Sequence, residues 1–125
     1  IEVDLPKRKH QIMTEFGYPM YAEGLHRAIE MIAVLKVPIE ITENGVADES
    51  DSLRPEHLRR HLLVLSQAIG EGHDIRSYHH WSLMDNFEWA EGYKLRFGLF
   101  SVDYDTQERT MRESGRLFKE IIANN

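Results

Sequence analysis

Apolar positions recur along the chain with two different periods. In "PMYAEGLHRAIEMIAVL" (residues 19–35), Leu25, Ala28, Ile29, Ile32 and Leu35 fall three or four apart, which predicts an amphipathic helix. Pro38 cannot continue it, and Val37 before that proline leans extended. "PIEIT" (38–42) is rich in β-branched residues and predicts a short strand, with a tight turn at Asn44-Gly45 straight after it. "VADESDSLR" (46–54) reads as an acidic loop. Pro55 opens a second helix, with Leu58, Leu62, Leu65 and Ile69 on one face and Gly70 and Gly72 as its stop. "HDIRSYHHWSL" (73–83) predicts a second strand, "DNFEWAEGYKLR" (85–96) a polar and aromatic loop, and "FGLFSVDY" (97–104) a further extended stretch. "DTQE" makes a turn. Thr110 with Glu113 has the capping-box spacing of a last helix, whose apolar face is Leu117, Phe118, Ile121 and Ile122. Residues 1–17 are polar and weakly patterned and read as loop, leaving 18–122 for the βα units.

Alternation of helix and strand implies α/β architecture with parallel strands and right-handed crossovers. Two central strands with three helices cannot cover both faces of a sheet, so the unit reads as incomplete. The chain opens on Ile1 and not on Met, which also suggests a piece of something longer. Its 125 residues suit one small domain, and 42% apolar with 29% charged residues is an ordinary globular mix. A net charge of −6 argues against a nucleic-acid partner. Without Cys there is no disulfide or thiolate metal site. That fits a reducing compartment, with the cytoplasm as the expected location. No apolar run approaches the ~18 residues of a membrane span.

In parallel α/β folds, ligands meet the carboxyl ends of the strands. Glu43 stands at one such end and "WSLMDNFEW" (81–89) at the next, so Glu43, Glu88, Asp85, Trp81, Trp89 and Asn86 are expected on one rim. Indole faces cover the C–H faces of a sugar while carboxylates accept from its hydroxyls, and paired carboxylates also hydrolyse glycosides. Each residue has a plainer reading. A Glu before Asn-Gly is commonly a solvated turn residue, two Trp near a strand end are commonly core, and Asp85-Asn86 makes an ordinary turn. Glu40, in mid-strand, pairs with an Arg at most. His57 and His61 have metal-ligand spacing but lack a third ligand, so a solvated helix face is expected. His79 and His80 alternate across a strand, so at most one points inward, as a packed, hydrogen-bonded His. Lys94 and Arg96 read as rim charges.

Taken together, "PMYAEGL", "PIEITENG", "WSLMDNFEWAEGYKLRFGLFSVDY" and "TQERTMRES" resemble glycoside hydrolase family 1, the β-glucosidase family, from about Gly17 to Ile122. The resemblance implies the C-terminal portion of a (β/α)8 TIM barrel: about strands seven and eight with flanking helices. It implies Glu43 as the catalytic nucleophile of a retaining, double-displacement β-glycosidase, needing no cofactor and no metal. It makes Trp81 the aromatic platform under the sugar, Glu88 the acid gripping hydroxyls at its far edge, and Trp89 an indole N–H donor to a ring hydroxyl. The substrate it implies is an unphosphorylated β-glycoside. Members acting on 6-phosphorylated sugars typically carry Ser where Glu88 stands, with a Lys and a Tyr where this chain has Leu95 and Phe97, and Glu88 would repel a phosphate.

The departures matter as much. The general acid, on an Asn-Glu-Pro motif after strand four, is missing, with the N-terminal Gln, the His-Trp pair and the Tyr after strand six. Tyr18 stands where the family usually has Trp, and Glu40 where it has Tyr or an aliphatic residue. Activity is therefore expected only when the rest of the barrel is supplied. The alternative is a non-catalytic sugar-binding or assembly fragment. Either way, open strand edges and helix faces predict a chain that is oligomeric, partner-bound or aggregation-prone.

Overall fold

The computed structural model describes residues 12–124. Most of the 1–17 loop expectation lies outside the described residues; within it, Met13 bridges Pro19 in a small antiparallel turn. The elements run α1 (Ala22–Ala33), β1 (Ile39–Gly45), α2 (Arg54–Gly70), β2 (Ile75–Trp81), β3 (Phe100–Val102), β4 (Arg109–Met111) and α3 (Glu113–Ala123), with a single 3-10 turn at Trp89–Glu91. β1 and β2 form a parallel pair; β3 and β4 form a separate antiparallel hairpin.

One face of the parallel pair carries the core. Ile29 of α1, Ile39 of β1, and Leu65 and Ala68 of α2 are buried together, with Leu25, Ala33, Ile41, Leu62, Ile75 and Tyr78 packed around them. Ala68, not the exposed Ile69, completes the buried face of α2. On another side, Phe118 of α3 meets the rings of Tyr78 and His80. Burial pushes the Tyr78 hydroxyl pKa up, and the neutral hydroxyl donates to Asn44 Oδ1 at 3.0 Å. α1 is only half covered. Met31, Val34 and Leu35, at the end of α1 and just after it, are between two-thirds and three-quarters exposed. Among the described residues, no helix is long and apolar enough to cross a membrane.

Several expectations need correction. α1 is shorter than the apolar period from Pro19 to Leu35 suggested, because Pro19 and Met20 belong to the preceding turn and Lys36 takes φ 54°. Asn44-Gly45 is no turn; both residues continue β1 to its end. The glycine is needed for a different reason: a Cβ on Gly45 would lie 1.7 Å from the Trp81 carbonyl oxygen. Thr110 does not cap α3, since it pairs with Ser101 in the hairpin. The cap comes from a distant residue, Asp51, whose carboxylate accepts from the Ser114 backbone N–H at 2.9 Å and hydroxyl at 2.6 Å.

Candidate active site

β1 bulges just before its end. Ile41 pairs with Tyr78 and Asn44 with His80, so Thr42 and Glu43 together oppose the single residue His79. Glu43 thus sits at the carboxyl end of β1, one bulge away from a register that places Gly45 level with Trp81 at the end of β2. The Glu43 side chain is exposed. Trp81 is half-buried, and its peptide bond to Ser82 is cis.

Glu88 and Trp89 stand on the loop that leaves β2 and returns to β3. The loop is pinned at its neck: Ser82 donates to the Phe97 carbonyl, Leu99 to that of Ser82, and Phe100 to that of Leu83. At its tip, Glu88 donates to the Gly92 carbonyl at 2.7 Å, which turns the chain tightly and sets Trp89 at φ 40°. Trp89 is 83% exposed. Glu88 is half-buried, and its Oε2 is enclosed without a hydrogen-bond partner. A buried carboxylate oxygen left unpaired costs free energy, so this atom is suited to a donor that the described residues do not supply.

Asp85 does not join this rim. Its carboxylate is buried under the neck of the loop, where it accepts from Arg112 at 2.9 and 3.0 Å and from the Gly98 and Val102 amides at 2.9 and 3.3 Å. Asn86 is likewise structural, donating to Ser82 Oγ and the Met84 carbonyl. Nor is Arg96 a rim charge. Its guanidinium lies 4.5 Å over the Tyr104 ring and 3.8 Å from Asp85. Lys94 is exposed, as expected of a rim residue, and so is Glu40, which takes part in no ion pair among the described residues.

The loops after the two parallel strands are tied to each other. The acidic stretch after Glu43 does not run into solvent: Val46, Ala47 and Asp48 are buried. The Asp48 amide donates to the Arg96 carbonyl at 2.9 Å. Arg54, fully buried, donates through one Nη to both the Asp48 and Arg96 carbonyls and through the other to Asp51. Burial works against the Asp48 charge, but hydrogen bonds from Ser50, Leu53 and Arg54 hold its carboxyl below its usual range. Asp48, Asp51 and Arg54 therefore fix the segment carrying Glu43 relative to the segment carrying Glu88 and Trp89. The sequence expectations missed all three. The visible signal was an Asp six residues before an Arg at a helix start, too common a pattern to single out.

The histidines depart furthest from expectation. His57 and His61 are buried, not solvated, and their rings stack at 3.8 Å. His61 Nδ1 lies 2.8 Å from the His57 carbonyl. His79 is exposed and His80 turns inward against His57 and Phe118, so one of the pair faces inward as alternation requires. His80 is packed but not hydrogen-bonded: neither ring nitrogen has a partner among the described residues. Burial first, and then the His61, His80 and Arg54 charges, push His57 down to about 3. Burial and Arg54 push His80 down to about 4. Burial also lowers His61. No group of three or more potential metal ligands occurs among the described residues.

Comparison with known proteins places this arrangement in a class. The solved structures it superposes on are (β/α)8-barrel β-glycosidases, so the chain is part of such a barrel. The family model described as Glycosyl hydrolase family 1 matches residues 2–125, and the chain belongs to that family. It is 42% identical to a β-galactosidase of Pyrococcus woesei, covering 90% of this chain and 22% of that protein. It is 38% identical to β-glucosidase A of Thermotoga maritima, covering 100% and 29% respectively. The hyperthermophilic β-glucosidase from Pyrococcus furiosus superposes with a TM-score of 0.91 at 42% identity, over 94% of this chain and 25% of that one. The chain spans less than a third of the length of these relatives.

Proposed function

We propose that this chain is the C-terminal part of a retaining β-glycosidase, contributing strands seven and eight of the barrel as β1 and β2. Glu43 is the nucleophile. Its carboxylate attacks the anomeric carbon while an acid outside this chain protonates the departing oxygen. The glycosyl ester so formed is then cleaved by water, and two inversions retain configuration. Trp81 lies under the sugar, Glu88 accepts from its outer hydroxyls, and Trp89 donates its indole N–H to a ring hydroxyl. The observation that carries this reading is Glu43 at the bulged carboxyl end of β1, beside the Trp81 end of β2 in a parallel pair. The unpartnered Glu88 Oε2 supports the sugar-binding role, and its charge favours an unphosphorylated β-glycoside.

The partner of this chain is the remainder of the barrel. A two-stranded parallel sheet leaves both outer edges unpaired, and the apolar end of α1 faces solvent. Without that remainder, the chain associates with itself. Gel filtration giving a compact, stable monomer would refute this.

The test is hydrolysis of a chromogenic aryl β-glucoside by the chain alone, by the chain combined with the missing N-terminal part, and by the same mixture carrying Glu43→Gln. Activity in the mixture only, lost in Glu43→Gln, is the expected result. Activity of the chain alone would require an acid within it. Silence in every arm would leave the alternative of a non-catalytic sugar-binding or assembly fragment.

A further inference from the structure

The loop that carries Glu88 and Trp89 is poorly held by its own burial. Phe87, Trp89 and Tyr93 are all more than half exposed. Its neck is fixed by Asp85 and the backbone pairing described above, but residues 87–95 lie beyond that neck. The aromatic side of this segment is met from the β3–β4 hairpin by Tyr104. The Tyr104 ring packs 4.5 Å from the ring of Tyr93, which in turn meets Phe87 edge-on at 5.4 Å, immediately before Glu88. The Tyr104 hydroxyl donates to the Asn86 carbonyl at 3.4 Å, and Arg96 at the far end of the loop covers the ring at 4.5 Å. Tyr104 thus touches the loop near its start, its middle and its end.

The hairpin turn that presents Tyr104 is stiff. Asp103 Oδ1 accepts from the Asp105 and Thr106 amides at 2.9 and 3.0 Å. Gln107 donates its side-chain amide to the Tyr104 carbonyl at 2.7 Å and its backbone N–H to the Asp103 carbonyl at 2.8 Å. The turn therefore supplies a fixed surface against which a half-exposed aromatic loop can rest.

We infer that Tyr104 is a positioning residue for the sugar-binding loop, holding Glu88 and Trp89 in place through the Tyr104–Tyr93–Phe87 ring contacts, with the long hydroxyl bond to the Asn86 carbonyl secondary to them. The inference rests on the sugar-binding role given above to Glu88 and Trp89. Tyr104 touches no substrate; it restrains the residues that do. Its removal costs ground-state and transition-state binding alike, because Glu88 and Trp89 grip the sugar throughout the reaction.

Two readouts test this. The first is amide hydrogen exchange of residues 87–93 in this chain, comparing wild type with Tyr104→Leu, Tyr104→Phe and Tyr93→Leu. Exchange reports local opening without reference to activity. Faster exchange confined to the loop in both Leu variants, with Tyr104→Phe close to wild type, is expected. Exchange unchanged in both Leu variants, or raised throughout the chain, would overturn the positioning role. The second is aryl β-glucoside hydrolysis with the barrel completed. There Tyr104→Leu is expected to raise KM about tenfold while kcat changes less than about threefold, and Tyr104→Phe to restore KM. A fall in kcat alone, or an unchanged KM, would overturn it. If the wild-type completed barrel is itself inactive, the glycosidase reading has failed, and the exchange comparison still decides whether Tyr104 holds the loop.

Discussion

Gly45 and Trp81 face each other at the carboxyl ends of the two parallel strands with no room for a side chain between them. A Cβ on Gly45 would come within 1.7 Å of the Trp81 carbonyl oxygen and 2.7 Å of its carbonyl carbon. These are backbone atoms and cannot swing aside as a flexible side chain would. Gly45→Ala must therefore spread the strand ends, at a cost of about 3 kcal/mol or more. The lowered midpoint should appear in urea unfolding followed by circular dichroism. Because Glu43 and Trp81 sit on the two strands being spread, the same substitution should depress hydrolysis by the completed barrel beyond what lost stability explains. A Gly45→Ala protein of wild-type stability would show that the strand ends can separate freely.

The Asp85–Arg112 pair predicts a different failure. Both charges are largely buried, at 1% and 10% side-chain exposure, and Asp85 also accepts from two backbone amides. Removing one partner leaves the other charged in a dry place, which typically costs roughly 3–5 kcal/mol. Arg112→Met should lower the urea midpoint accordingly. The double variant Asp85→Asn with Arg112→Met should cost less than the sum of its parts, because it buries no lone charge. Strict additivity in that cycle would mean that the two side chains do not interact.

Element order was legible in the sequence because long periodic runs dominate it: α1, α2, α3 and both parallel strands lie close to where apolar spacing put them. What it concealed depended on distance along the chain. Ser114 and Asp51 are 63 residues apart, so the cap of α3 had no local signature, while Thr110 offered a false one. Gly45 reads as a turn glycine in isolation because its reason for being glycine lies on the other strand. β4 has three residues, of which only Met111 is partly buried, too few for a period. At the candidate site, motif spacing pointed to Glu43, Trp81, Glu88 and Trp89. The same spacing swept in Asp85, whose carboxylate is consumed by Arg112 and two amides. No pattern could announce Tyr104, whose ring packs on Tyr93, eleven positions earlier, and through it faces Phe87.

Glu43 should separate activity from stability. Its side chain is exposed and enters no hydrogen bond or ion pair with the described residues. Glu43→Gln therefore should leave the thermal midpoint of this chain unchanged, within the ±0.5 kcal/mol typical of surface positions. In the completed barrel it should reduce kcat by at least about a thousandfold if Glu43 is the nucleophile. A variant that loses activity only in proportion to lost stability would remove Glu43 from the chemistry.

The buried histidines predict acid sensitivity of a particular sign. An unfolded His titrates near 6.5. In the folded chain His57 is pushed down to about 3 and His80 to about 4, so the unfolded state binds protons that the folded state refuses. Stability is therefore complete above about pH 6.5, declines as pH falls below it, and levels off only near the folded values. Each such histidine contributes a slope of up to ~1.4 kcal/mol per pH unit in that window. The groups around the cluster do little to relieve it. Arg54 opposes a second positive charge at both rings, Asp51 favours one only at His80, and Glu23 and Arg60 act in opposite senses on His61. The Asp48 carboxyl, held low by its hydrogen bonds, adds a loss of the same sign at lower pH. His57→Phe keeps a flat ring against His61 and removes one titrating group. Urea midpoints between pH 7 and pH 4 should fall less steeply in that variant than in wild type. Parallel profiles would show that the acid loss comes from the carboxylates instead.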